Sequence, residues 1–331
     1  MIFYLLKKTV GLAPLFLGIT LVSFIVIHLA PGSPTDIQAE LNPKVSPEAR
    51  EKLDRLYGLD KPLHEQYAAW LGRFVRLDFG ESFVDGRKVI QKIGDALPAT
   101  ILINSLSLFF IFLVGVPLGV LGAVHKGKPL DRFIAASTLA AYSLPAFWLA
   151  LLLLSFFGVT LRVLPISGLH SLFYEEMGFW KRAADLVWHL ILPVLVSSIT
   201  WLAVASRTMR KSMRETLGQN YVRTARAKGL PEGRVLYKHA LRNALLPVIT
   251  LLGLSIPALV GGSVIFESIF SIPGMGRLFY QSVFARDYPV IMGVLVLGAF
   301  LTLLGNLLAV LNTSGDAAAR HLFEHGGSSE Q

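Results

Sequence analysis

Ten basic side chains crowd residues 207–245: Arg207, Arg210, Lys211, Arg214, Arg223, Arg226, Lys228, Arg234, Lys238 and Arg242, against the acids Glu215 and Glu232. Cations at that density do not cleave or oxidise anything by themselves; their chemistry is docking. Anionic lipid attracts each of them with ~1 kcal/mol, and nucleic acid or a protein groove can do so too. No nucleic-acid recognition motif accompanies the charge, which removes nucleic acid as a partner. The local pattern separates the other two. A helix is expected to run unbroken through "RTMRKSMRETLGQNYVRTARAK" and to stop at Gly229, a favoured helix terminator. Pro231 then starts a second helix, its fixed φ suiting the first helical position. Ala225 and Gly229, four apart, are expected to share a face small enough for another surface to approach, flanked by Thr224 and Lys228. Lipid attraction and topology require neither the break nor the small face. A rigid turn seated in a partner that supplies force is the reading the pattern supports.

Reaction chemistry is not written in the chain. There is no cysteine, hence no disulfide, thiolate nucleophile or thiolate metal site. G-x-x-x-x-G-K-[ST], H-E-x-x-H and G-x-S-x-G do not occur, so the chain has no phosphate cradle of its own. The eight histidines are scattered, and His28 and His189 stand near the ends of apolar runs, where an imidazole reaches the headgroup region. Those runs hold few ionisable groups, and intramembrane charges are what mark proton and ion pathways. Energy for any transport must therefore enter from elsewhere. Asn104 and Asn306 are expected to hydrogen-bond between helices. Gly115 and Gly119 form a small-xxx-small pair that lets two helices touch.

What must position the basic segment is a membrane bundle. The chain has 331 residues, 53% of them hydrophobic and only 16% charged, where a soluble domain carries about 25% charged residues. Six apolar runs, 9–30, 98–124, 133–158, 187–206, 246–266 and 288–311, each approach the ~20 residues that cross a ~30 Å hydrocarbon core. The expected fold class is an all-α integral membrane protein with six transmembrane helices and an extracytoplasmic helical segment between the first two. The first run exceeds the ~7–15-residue core of a signal peptide and lacks a small-x-small site after it, so it reads as a span. Lys and Arg in short loops set the orientation. Lys7, Lys8, "HKGKPLDR" at 125–132 and the segment 207–245 fall on one side, while 159–186 and 267–287 are charge-balanced. Both termini are therefore expected in the cytoplasm of a bacterial or archaeal cell, the chain spanning its inner membrane.

Four regions follow: 1–30 with the first span, 31–97 outside, a five-helix core at 98–311 that includes the loop 207–245, and a polar cytoplasmic tail at 312–331 with a mobile end. In 31–97, Ser46-Pro47 reads as a helix start and Gly58 as its stop. Leu63, Tyr67, Trp70, Leu71 and Phe74 recur at helical spacing, giving a second amphipathic helix that lies on the membrane or caps the bundle.

The basic stretch resembles the cytoplasmic EAA loop of ABC-importer permeases. In that family the pattern is Glu-Ala-Ala, three residues, Gly, nine residues, then Ile-x-Leu-Pro. Here Arg223-Thr224-Ala225 and Gly229 hold its first part, the Glu is absent, and Leu246-Pro247 comes five residues late. "YVRTARAKGL" and "HALRNALLPV" are similar to the branch that moves dipeptides, oligopeptides and sometimes nickel, in its B-type permease subunit. "PGSP", "GLDKPLHEQYAAWL", "LDFGESF", "SLPAFWLALLL", "LPISG" and "FSIPGMGRLFYQSVFARDYPVI" resemble further landmarks of that branch. The tail departs from it: "AVLNTSGDAAARH" stands where an acidic "DLLY" is usual.

The resemblance implies a type I ABC importer permease fold and a transport subunit that is not itself an enzyme and binds no cofactor. Its implied partners are a second homologous permease, two cytoplasmic ATPases that hold ATP and Mg, an extracytoplasmic substrate-binding protein and membrane lipid. Arg223, Thr224, Ala225, Arg226, Ala227, Lys228, Gly229 and Leu230 would form the helix that couples to an ATPase. The binding protein would dock on 31–97 with Pro273, Gly274, Arg286 and Asp287. A nickel chelate or a glutathione-like solute is the alternative cargo. A membrane enzyme with its site in 31–97, or an autonomous channel, is the rival from another class.

Overall fold

The structure is a computed structural model and describes residues 2–35, 47–255 and 258–325. Hydrocarbon offers no water to satisfy a backbone N–H or C=O, so a spanning segment must pair its own groups. The described residues obey this by folding into helices. In chain order they are α1 (Ile2–Leu29), α2 (Pro47–Tyr57), α3 (Leu63–Val75), α4 (Val89–Val124), α5 (Pro129–Ser143), α6 (Ala146–Leu153), α7 (Phe179–Leu217) and α8 (Asn220–Ala227). After them come α9 (Glu232–Ala244), α10 (Leu246–Ser255), α11 (Ala258–Gly261), α12 (Val264–Ile269), α13 (Met275–Phe284) and α14 (Tyr288–His325).

Among the described residues four helices are long and apolar enough to cross a membrane: the Gly11–Leu29 part of α1, α4, α7 and the Tyr288–Leu307 part of α14. Two bent pairs, at 98° and 44°, bring the number to six if each is one span. Here the structure departs from the expected uninterrupted runs. The third run breaks after α5, because Pro145 has no N–H and forces its predecessor out of the helical region. Leu144 is accordingly extended at φ −80°, ψ 132°. The fifth run is divided into α10, α11 and α12, with Gly262 at φ +65° between the last two. α4 starts at Val89 rather than 98, and the helix of α14 continues through the expected polar tail to His325. α7 has 39 residues, about 58 Å at ~1.5 Å per residue. That is roughly twice a ~30 Å core, so α7 extends several turns beyond it.

The chain divides into two compact units. In the first (1–100, 260–264 and 273–331) the aromatic face of α3 docks on the bundle. Tyr67, Trp70, Leu71 and Phe74 pack with Phe16, Phe24 and Ile27 of α1 and with Met292 and Val296 of α14. Tyr67 also shares a 2.9 Å hydrogen bond with Thr20. This amphipathic helix therefore caps apolar helices. Gly58, at φ +70°, follows α2, whereas Ser46 lies outside the described residues. A second core joins Val89, Ile93 and Ala96 of α4 to Met275, Val290 and Val294.

In the second unit (101–259 and 265–272) α4 meets α7 through the expected glycine pair. A Cβ at Gly119 would stand 2.6 Å from Met209 Cβ and from the Ser206 carbonyl oxygen, and one at Gly115 would stand 3.2 Å from Ala205 Cβ. Asn104 makes the expected interhelical bonds, donating to Ala258 and Leu259 carbonyls at 3.1 Å each. Asn306 is exposed.

Gly119→Ala should lower the apparent Tm of the detergent-solubilised chain, since overpacking a tight contact costs ~1–3 kcal/mol. Gly94→Ala, where a Cβ meets nothing within 4 Å, should leave the Tm unchanged or raise it. Equal stability of the two variants would show that the helices can separate to admit a methyl group at position 119.

Candidate functional site

The basic segment leaves α7 at Gly218, which caps the helix with its N–H on the Glu215 carbonyl at 3.2 Å. Gln219 is extended at φ −72°, ψ 149°, and α8 begins as a separate two-turn helix. The unbroken helix expected from α7 to Gly229 is thus corrected. Gly218 lacks the side chain that would hold the helical path, and Gln219 turns the chain.

α8 has one inward face. Val222 and Ala225 are buried in a core with Met209 and Met213 of α7, Val235, Ala240 and Ala244 of α9, Val248 of α10 and Ala123 of α4. Leu230 packs on the same core. Arg223, Thr224, Arg226, Ala227 and Lys228 are exposed. Ala225 is therefore a core residue and does not supply the outward small face expected of it.

Gly229 has a different reason for being glycine. Its φ is +76°, and a Cβ there would meet nothing within 4 Å. The position demands left-handed backbone, which costs other residues roughly 1–2 kcal/mol, and not close approach within this chain. Its N–H reaches the Arg226 carbonyl at 2.9 Å, and that of Leu230 reaches Ala225 at 3.4 Å, closing the end of α8. Pro231 follows at φ −60°, ψ 140°, as the cap before α9 rather than its first helical residue. Across the turn Arg226 grips Glu232 with two hydrogen bonds, 2.7 and 3.2 Å long. The Arg226 guanidinium holds the Glu232 carboxyl below its usual range. Asn243 of α9 donates to the Tyr221 hydroxyl at 2.7 Å. The product is a stiff elbow. Arg223 and Lys228, joined by Arg234 and Lys238 of α9, are exposed on it.

The other expected contact residues scatter. Pro273 is exposed, and Gly274 is buried as the cap of α13. Arg286, at φ +54°, donates to the Pro31 carbonyl. Asp287 is only 1% exposed. It accepts the Ser82 hydroxyl at 2.5 Å and the Phe83 N–H at 3.0 Å, with Lys92 Nζ 3.8 Å away. A carboxylate so enclosed has no oxygen left at the surface, so docking through the Asp287 side chain is corrected to an internal pin between the Phe79–Lys88 corner and the start of α14. Burial pushes its pKa up, against the pull of Ser82, Phe83 and Lys92. Burial also acts on Asp85, but Lys92 at 2.8 Å, the Arg87 N–H and Ser82 outweigh it, leaving Asp85 lowered. Sequence reasoning missed this pin because its partners stand about 205 residues apart. Among the described residues no three His, Asp or Glu side chains converge as a metal site.

The described residues thus form a multi-helix membrane protein that carries a basic elbow at the end of α7. Sequence comparison makes this particular. Residues 115–320 match the family described as binding-protein-dependent transport system inner membrane component, and residues 1–104 match the corresponding N-terminal family. The chain belongs to this family of transport-system inner membrane components. It is 42% identical over 307 residues to the oligopeptide transport system permease protein AppB of Bacillus subtilis, covering 92% of this chain and 95% of that one. The di/tripeptide permease protein DppB of Pseudomonas aeruginosa is 37% identical (93% and 95% covered). The dipeptide permease protein DppB of Escherichia coli K12 is 36% identical (94% and 96% covered). Among solved structures, a chain of the MetNI methionine ABC transporter in an inward-facing conformation aligns with TM-score 0.49 and 19% identity, over 67% of this chain and 96% of that one.

The buried pin has a pH signature. A carboxyl whose folded pKa is raised stabilises the fold fully below its unfolded value and loses that contribution as pH rises through the folded one. From pH about 4 upward, the stability of the wild type relative to Asp287→Asn should therefore fall, read as apparent Tm in detergent. A wild type that instead gains stability relative to Asp287→Asn as pH rises would mean that the ionised form is the one the site prefers.

Proposed function

We propose that this chain is one of two permease subunits of an ATP-driven importer for dipeptides or oligopeptides. Three curated relatives that carry peptide-transport names, at 36–42% identity over nearly their whole length, support the substrate class. One observation supports the coupling role: an elbow rigidified from inside by α7, α9 and the left-handed Gly229, with cations turned outward. On this reading each bent pair is one span, giving six, and both termini and the elbow lie in the cytoplasm. The second permease completes the path. Two cytoplasmic ABC ATPases bind ATP and Mg, and an extracytoplasmic binding protein delivers the peptide near 31–97 and the exposed Pro273.

The mechanism is mechanical. α8 from Arg223 to Lys228, with Gly229 and Leu230, sits in a groove of one ATPase. Arg223 and Lys228 meet its surface, Thr224 and Ala227 fit between them, and Val222, Ala225 and Leu230 hold α8 to the permease. When ATP closes the ATPases, α8 is displaced, and α7, in contact through Met209 and Met213, moves with it. Rocking between inward- and outward-facing states is a two-state switch. Driving it from 1:99 to 99:1 takes ~5.5 kcal/mol of differential binding. Nucleotide binding in the partners supplies that energy.

The test is uptake of a labelled dipeptide by the four-subunit importer in liposomes with its binding protein. Gly229→Asn, which tolerates left-handed backbone, should retain most transport. Gly229→Val should lose at least about tenfold while still inserting, as expected if it loses ~1.4 kcal/mol or more of coupling. Equal transport by both variants would remove the elbow from the mechanism. In a separate measurement, neutralising Arg223 and Lys228 together to Gln should reduce the ATPase recovered with the affinity-tagged permease pair; unchanged recovery and turnover would remove their docking role.

A further inference from the structure

Residues 209–214 of α7 face two ways. Met209 and Met213 are fully buried against the elbow. One position further round the helix, Arg210 and Arg214 reach in another direction, to Asp131 in the first turn of α5. Asp131 is 4% exposed. One of its oxygens pairs with Arg210; the other takes a 2.8 Å hydrogen bond from Arg214 and a 3.0 Å bond from the backbone N–H of Gly127. Gly127 has φ +77°, a backbone turn that an L side chain would resist. Arg214 also donates to the Gly122 carbonyl, near the end of α4, at 3.3 Å. At Gly122 itself an added Cβ would stand 3.3 Å from Arg210 Cδ and 3.5 Å from Asp131 Oδ1. The end of α4, the loop after it, the start of α5 and the far end of α7 thus converge on one carboxylate.

We infer that Asp131 is a positioning residue for coupling: a carboxylate clamp that makes the α4–α5 corner follow α7 when the elbow is pushed. The inference rests on the permease reading above. Its physical content is a division of labour on one helical turn. Apolar contact is non-directional, so Met209 and Met213 transmit a push but do not set register. The carboxylate does set it: one oxygen takes directional hydrogen bonds from Arg214 and the Gly127 N–H, and Arg210 adds its charge at the other. Remove the charge and the two cations repel. Their side chains are 23% and 30% exposed, so both can swing to water. α7 would then keep its glycine and apolar contacts with α4 and its packing on α5, none of which is directional. The ATPases would still close on the elbow, but the α4–α5 corner would lag behind the stroke.

The readout is the number of ATP molecules hydrolysed per peptide imported, measured on the complete importer with its binding protein in liposomes. In Asp131→Asn, hydrolysis should persist while uptake falls, raising the ratio at least about fivefold, the low end of ordinary coupling between sites. Asp131→Glu, which keeps the charge, should bring most of the ratio back. A purely structural role predicts hydrolysis and uptake falling together at an unchanged ratio, and that result overturns the clamp. So does wild-type behaviour of Asp131→Asn. Should that variant fail to assemble, Arg214→Gln, which leaves the Arg210 pair in place, is read by the same ratio: a rise supports the clamp and an unchanged ratio overturns it. A wild-type importer that shows no ATP-dependent uptake would instead sink the permease reading itself.

Discussion

No Cβ fits at position 119. That single steric fact brings the backbones of α4 and α7 together, and much of the second unit is arranged around it. In hydrocarbon two leucine-covered helices gain little by touching, because lipid tails offer the same contact; close packing at small residues is what lipid cannot replace. Gly115 and Gly119 supply it against Ala205, Ser206 and Met209. With the two backbones held close at this point, the 3.6-residue period of α7 decides which neighbour each residue meets. Met209 and Met213 face α8 and α9, whereas Arg210 and Arg214 face Asp131. The elbow is placed because the helix that carries it is placed.

Features that depend on a short window are readable from residues alone. Apolar runs, the glycine pair, the stop at Gly229, the restart near Pro231 and the amphipathic face of α3 are each carried by residues that are near neighbours in the chain. Even there, competing signals mislead. Gly218 does not stand out, because basic and apolar residues keep a helical rhythm on both sides of it, yet a glycine followed by an extended Gln219 ends α7. Pro145 sits inside an apolar run that composition reads as one span, although proline restricts the residue before it as well as itself. Ala225 and Gly229 are four apart, but α8 ends at Ala227, so helical spacing no longer relates them.

The polar pins are beyond such reading. Asp131 meets Arg214 across 83 positions, and Asp287 meets Ser82 across 205. Nothing in the immediate neighbours of Asp131 distinguishes it from an ordinary loop carboxylate; what does is the pair of α7 arginines that folding delivers. Asp287 resembles a surface acid in a short loop for the same reason. Long-range pairing is specified by how helices pack, and packing is set by apolar and glycine contacts that surround these groups without naming them.

Which forces make the elbow rigid can be settled by magnitude. The Arg226–Glu232 pair bridges the turn, but both side chains are about half exposed, at 41% and 57%; such pairs contribute roughly 0–1 kcal/mol. Met209, Met213, Val222 and Val235 are fully buried in the elbow's core, and a side chain of this kind gains ~1.5–3 kcal/mol on burial from water. Four of them exceed the ion pair several-fold even after discounting for a compact unfolded state. The elbow is therefore held by its apolar inside and by the left-handed turn at Gly229. Its outward cations carry little of that stability, which leaves Arg223 and Lys228 free to be matched to another surface without weakening the piece that presents them.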